Sequence, residues 1–322
     1  MIAQILKVLD WLGRQGTRAI AISLVLGMVL PPLSAVLKPL IPQAVFVLLL
    51  IAFLRVDAHA VSHRLKRPWL VIAVVGWMMV VLPLALGLPL LAIGAETWRP
   101  GVMVAFIVMA IAPPIMSTPG FAYLLNLDGA LSLTVLVAAM IATPVLCPLI
   151  AGLLVGDALP ISALDMGLRL AVLLCGSLVA ALVLRRLIGL ERIERSRRIF
   201  DGANVVLLFV FAVAIMDGVA VRLVAEPLFV LGLLAAAVGF ALTFIVVSAL
   251  VFRFAGLEQS LTIAISAGNR NMALMAAALA GVIPDASWTF FAVAQVPIYL
   301  LPWLTKPVID RLIGSPQEPT RH

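Results

Sequence analysis

Two short stretches of this 322-residue chain carry the residues best suited to bind or position something. In Ser260 to Ala280, Arg270 stands in an otherwise apolar run, flanked by Ser266, Gly268, Asn269 and Asn271. A guanidinium facing lipid at that depth costs about 2.5 to 3.5 kcal/mol on insertion scales, so Arg270 needs a partner, water or a substrate. In Ala112-Pro-Pro-Ile-Met-Ser-Thr-Pro-Gly120, three prolines remove backbone donors beside Ser117, Thr118 and Gly120. Broken backbone at membrane depth survives only inside protein or against a water-filled cavity. Together the stretches predict a polar site in which Ser117, Thr118 and Gly120 face Ser266, Asn269, Arg270 and Asn271. Helix ends meeting there would offer free N–H groups suited to an anion.

The elements that must position this site are membrane spans. With 64% hydrophobic and 11% charged residues, the chain has to bury most of its length in lipid. Apolar stretches of span length predict an all-α integral membrane protein with ten transmembrane helices, at about 17–38, 39–56, 69–94, 101–126, 129–154, 161–184, 200–220, 227–252, 257–282 and 287–312. The net charge of +7 arises from basic residues in short connections, which argues topology rather than nucleic-acid binding. With both termini cytoplasmic, seventeen Lys and Arg collect inside, against Lys38, Arg99 and Arg222 outside. Residues 1–16 read as an amphipathic cytoplasmic segment leading into a retained signal anchor, and 313–322 as a cytoplasmic tail.

The basic connection 185–199 divides the chain into halves of five spans, 17–156 and 157–312. A second half of five spans must insert inverted, the plan of many secondary transporters. The fourth and ninth spans, one in each half, carry the two interruptions, which marks a binding site near the midplane where they cross.

The chain resembles the bile acid:sodium symporter family over nearly its full length. The resemblance rests on Leu54-Arg55-Val56-Asp57 through Arg67-Pro68-Trp69, Tyr123 to Ser132 leading to Thr143-Pro144, and Thr262 to Ala280. It implies inverted five-helix repeats, crossing fourth and ninth helices, and alternating-access transport of an organic anion. The sodium site of that family departs here. A glutamate followed by Gln-Asn in the ninth helix is replaced by Ser266, Arg270 and Asn271. A Ser-Asn pair in the fourth is replaced by Thr118-Pro119, and a glutamine in the third span by Met78. Thr118, Ser132, Ser266 and Asn271 remain as candidate sodium ligands. A hard cation usually takes a carboxylate among several oxygens, so this set argues against sodium bound in the family's manner.

Arg270 then has three readings: a tethered substitute for the cation, a direct contact to an anionic substrate, or a structural ion pair with Asp217 or a snorkelling residue. Functionally the chain reads as a secondary transporter of a small or amphipathic organic anion in a bacterial-type inner membrane. Its partners are that anion and lipid, with no nucleic acid and no cofactor. The alternatives are a sodium symporter using backbone ligands, an anion channel, and a transporter-like sensor. No constellation in the spans suits an enzyme. His59, His63 and His322 lie in cytoplasmic segments, so no histidine relay crosses the membrane. Trp69, Trp98, Trp288 and Trp303 read as interfacial anchors, and Cys147 and Cys175 as packing residues.

Overall fold

A computed structural model describes residues 26–54, 68–159 and 161–313. The N-terminal segment, the start of the first span, the three histidines and the C-terminal tail lie outside the described residues.

The described residues form helices, and no strand is among them. Among the described residues, seven helices are long and apolar enough to cross a membrane: Pro31–Leu54, Pro68–Ala92, Gly129–Leu154, Ala163–Ile188, Arg198–Ala225, Pro227–Ala255 and Asp285–Ile313. Two further apolar segments are interrupted, Val102–Ile111 followed by Thr118–Leu124, and Leu257–Gly268 followed by Met272–Ala278. Large apolar side chains are exposed in register along single helix faces. On Gly129–Leu154 they are Ile141, Val145, Leu149 and Leu153, each four residues from the next. Such a continuous apolar stripe fits hydrocarbon as its solvent. The chain is a multi-pass helical membrane protein.

Most span boundaries fall within a few residues of the positions read from hydropathy, but the first two do not. The expected turn between residues 38 and 39 is replaced by helix, with Lys38 at φ −51°, ψ −44°. The chain breaks instead at Leu30 (φ −118°, ψ 69°), between residues 26–29 and the helix beginning at Pro31. Proline disfavours helical backbone at the residue before it and is well tolerated in the first helical turn, so Pro31-Pro32 starts the helix.

Two packing groups emerge. Pro31–Leu54 packs on Ala163–Ile188 and Arg197–Ile215. The other group holds Val102–Ile111, Thr118–Leu124, Leu257–Gly268, Pro68–Ala92, Gly129–Leu154, Pro227–Val251 and Asp285–Val293, and the two are joined where Ala163–Ala171 packs on Gly129–Leu154 and Met272–Ala278 on Ile41–Leu54. Without a hydrophobic driving force between helices in lipid, close approach at small residues carries the packing. At Gly268 a Cβ would lie 2.3 Å from Ile245 Cγ1 and 2.9 Å from the Ala241 carbonyl, so Leu257–Gly268 sits directly against Pro227–Val251. Gly167 meets the Pro144 carbonyl in the same manner, at 2.9 Å, where the two groups touch.

Two side-chain assignments change. Trp288 is buried rather than interfacial, and its indole N–H donates to the Asp217 carbonyl at 3.2 Å. Trp69 and Trp98 are exposed at helix ends, whereas Trp303 is exposed in the interior of Gln295–Ile313. Cys147 is buried, whereas Cys175 is exposed and packs no core.

Candidate functional site

The two interruptions meet. Val102–Ile111 ends at Ala112, whose extended backbone (φ −60°, ψ 140°) is what a following proline demands. Leu257–Gly268 ends at Asn269 (φ −104°, ψ 89°), and Asn271 caps the next helix. Between these ends the peptides pair antiparallel: the Ile115 N–H donates to the Asn269 carbonyl at 2.9 Å, and the Asn271 N–H to the Pro113 carbonyl at 2.8 Å. Pro114 lies opposite Arg270 in this one-residue bridge. The bonds come from the residues flanking that pair, so the N–H that Pro114 lacks is one the ladder does not use. A non-helical backbone deep in the bundle is thereby satisfied by a second one.

Arg270 is completely buried. Its Nη1 donates to the Ala112 carbonyl at 2.9 Å and to the Met78 carbonyl at 3.1 Å, and its guanidinium carbon lies 5.1 Å from the Phe244 ring centroid. Both carbonyls are free for local reasons. Ala112 closes its helix ahead of two prolines. Met78 sits in a π-helical turn, Trp77–Val81, where the Leu82 N–H reaches back to Trp77 instead of to Met78. The next residue, Pro83, has no N–H to offer. Met78 therefore keeps an unclaimed carbonyl that Arg270 takes up. The positive guanidinium also sits at the carbonyl end of Val102–Ile111, where the helix dipole favours it. Among the described residues its Nε and Nη2 have no hydrogen-bond partner, nor have Asn269 Oδ1 and Ser117 Oγ.

The structural ion pair expected between Arg270 and Asp217 is not formed. Asp217 pairs with Lys38 at 2.9 Å, and Lys38 also lies 4.5 Å from the Trp288 ring centroid. Complete burial excludes snorkelling as well. The free N–H groups expected at the opposed helix starts are mostly used. Thr118 donates to the Ile115 carbonyl, Met272 to that of Arg270, and Leu274 to Asn271 Oδ1, while Pro119 has no donor.

Four of the expected residues, Thr118, Asn269, Arg270 and Asn271, are buried at the crossing. Ser117 is half-buried beside it, and Gly120 is exposed on its short helix with open space where a Cβ would point, so it does not face the second break. Ser132 and Ser266 join two helices, their hydroxyls 3.2 Å apart. Ser266 spends its proton on the Thr262 carbonyl at 2.9 Å, which leaves Ser132 as the donor of that contact. The four candidate sodium ligands are not brought to one point. Thr118 Oγ1 is turned to the Ile115 carbonyl and Asn271 Oδ1 holds the Leu274 N–H, so the two serines meet without the other two. No cluster of three His, Cys, Asp or Glu side chains exists among the described residues.

Three contributors escaped the sequence reading: the Met78 carbonyl, Phe244 and Cys147, whose thiol donates to the Ile111 carbonyl at 2.9 Å. Pro83, five residues beyond Met78, was the available signal for the first. Away from the crossing, a cluster of ion pairs ties elements together. Arg99 forms a two-pronged pair with Glu226 and stacks on Phe229, and Arg222 reaches Thr289 at 3.2 Å and Asp285 at 3.7 Å. Arg169 donates to the Ala278 and Ala280 carbonyls, at 3.3 and 3.2 Å. A groove of about 370 Å³ lies elsewhere, lined by Pro148, Gly152, Gly156, Ile161, Ser162 and Met166, and includes no residue of the crossing.

No family model matches the chain, and no curated protein matches it either. The likeness to bile acid:sodium symporters therefore rests on the motifs quoted above.

Proposed function

We propose that the protein is a secondary transporter that moves a small or amphipathic organic anion across a bacterial-type inner membrane by alternating access. In this reading the chain has ten spans in two inverted halves with both termini cytoplasmic. Arg270 supplies, from within the chain, the positive charge that a coupling cation supplies in sodium-dependent carriers.

The observation that carries this reading is the buried Arg270, bonded to backbone carbonyls of two helices at the crossing of two broken segments. A monovalent cation at a broken helix is held by such carbonyls. Here a guanidinium holds them, and it needs neither hydration nor release. The crossing thus stays assembled whether or not a cation is present, and transport needs no sodium gradient. Arg169, Arg222 and Trp288 reach from one group to the other through hydrogen bonds or partly exposed pairs. Alternating access is then a rocking of the Pro31–Leu54 group against the group that holds the crossing, with the crossing itself kept whole.

The test is uptake of labelled organic anions into proteoliposomes with sodium or potassium outside, for wild type and Arg270→Ala. Saturable uptake with counterflow, equal in both salts and lost in the mutant, is the expected result. Flux that requires sodium overturns the role given to Arg270, and flux that neither saturates nor shows counterflow makes the protein a channel.

A further inference from the structure

A guanidinium has five N–H donors in one plane, and Arg270 uses two of them, both on Nη1. The remaining three, on Nε and Nη2, meet no acceptor among the described residues although the side chain is completely buried. Two of these three lie parallel along the Nε–Nη2 edge, the arrangement that matches the two oxygens of a carboxylate. Nη1 is tied to carbonyls of two different helices, so the plane of the fork is set before anything reaches its other edge. Among the described residues no carboxylate competes for it: Asp217 is on Lys38, Glu226 on Arg99, Asp285 near Arg222, and Asp128 caps its own helix by accepting from Leu131.

We propose that the Nε–Nη2 edge of Arg270 is a carboxylate-binding site, which receives the head group of an organic anion side-on while Nη1 remains fixed to Met78 and Ala112. The proposal rests on the transporter reading and deepens it. One arginine then performs two tasks on opposite edges: it holds the crossing together and it selects the cargo. A planar, two-oxygen head group engages both donors at once. A halide engages the edge as a point, and an uncharged amide presents one acceptor and a clashing N–H₂. The cargo reaches the edge in a second conformation of the carrier, because the side chain is closed off in the present arrangement. Asn269 Oδ1 and Ser117 Oγ, buried and unpartnered in the two breaks, are available to polar groups farther along the same molecule.

The experiment uses the full chain in lipid nanodiscs with ¹⁵N-labelled arginine. The Nε–H resonance of Arg270 is identified by slow solvent exchange and by its disappearance in Arg270→Lys. Acetate, butyrate, octanoate and benzoate are titrated beside acetamide, butyramide, octanamide and benzamide, with empty nanodiscs as the control for partition. The expected result is a downfield shift with at least one carboxylate, at an affinity about 10- to 100-fold above its amide, as charged hydrogen bonds lost in the amide require. Arg270→Lys, which keeps the charge and loses the fork, lacks this resonance, and ligand-observed saturation transfer in the same nanodiscs should show it retaining less than a tenth of that preference. If the lysine variant fails to fold, the wild-type comparison of acid with amide decides alone. A resonance unmoved by every carboxylate, or moved equally by acids and amides, overturns the proposal. Sodium-independent, saturable uptake with an unmoved Nε–H leaves the carrier reading standing without this site. A carboxylate-specific shift with no uptake keeps the site and removes the carrier.

Discussion

The two breaks solve one problem by opposite chemistry. Pro113 and Pro114 interrupt the first segment by withdrawing donors, so this side of the crossing presents carbonyls, at Ala112 and Pro113. Asn269, Arg270 and Asn271 interrupt the second by competing for the backbone, and this side brings donors: the Asn271 N–H to Pro113 and the Arg270 guanidinium to Ala112. An acceptor-rich break and a donor-rich break complete each other, which neither could do in lipid alone. The comparison teaches that the pair is a unit, and that a change on either side is felt as an unsatisfied group on the other.

The largest effect should come from Arg270→Ala, which strands the Met78 and Ala112 carbonyls. With hydrogen bonds to a charged group contributing about 1.5 to 3 kcal/mol each, we expect a loss of several kcal/mol and no transport, measured by thermal unfolding in detergent and by liposome uptake. The glycines sharpen the contrast. Gly268→Ala, forced against Ile245 and the Ala241 carbonyl, should destabilise by about 1 to 3 kcal/mol, whereas Gly120→Ala at the proline-rich break has open space and should be neutral or better. Equal melting temperatures for the two variants would contradict the packing described for Gly268.

Asn271→Ala removes the side-chain cap on the Leu274 N–H and should cost about 1 kcal/mol, with Asn271→Ser or Asn271→Asp recovering most of it. Pro83→Ala acts on the acceptor side. It returns an N–H near Met78, loosens the hold of Arg270, and should slow uptake several-fold with a smaller change in melting temperature than Gly268→Ala. Unchanged uptake would show that the Met78 carbonyl is dispensable.

The smallest effect belongs to the exposed Arg99–Glu226 pair. The hydrogen bond from Arg99 is the main cause that holds the Glu226 carboxyl below its ordinary value. A carboxyl lowered in the folded state contributes above its unfolded pKa and loses that contribution as pH falls through its folded value. Melting curves of wild type and Glu226→Gln should therefore differ slightly at neutral pH and converge only as pH falls beneath the ordinary carboxylate range, through the lowered value of Glu226.

Much of the fold was legible in sequence because lipid makes each helix satisfy its own backbone, so that apolar length alone locates the spans. The 129–154 span and the two interruptions illustrate this. So does Arg270 itself, a charge whose place in an apolar run already announced a polar site. The first two spans are misplaced because apolar length runs unbroken across Pro31-Pro32, although the residue before a proline is the one that leaves the helix. Trp288 was misread because a tryptophan near a span end has the same sequence signature whether it faces headgroups or a neighbouring helix.

What the sequence by itself determined is an apolar helical chain with a proline break, an Asn-Arg-Asn break and one arginine that must be paired. Tertiary structure decided the pairing. The carbonyls that Arg270 takes lie 192 and 158 residues away in the chain, at Met78 and Ala112, and Asp217 lies on Lys38 instead. The reason is physical. A backbone carbonyl has the same identity at every residue, so its availability is set by which N–H groups its own helix withholds and by which distant side chain the packing delivers to it.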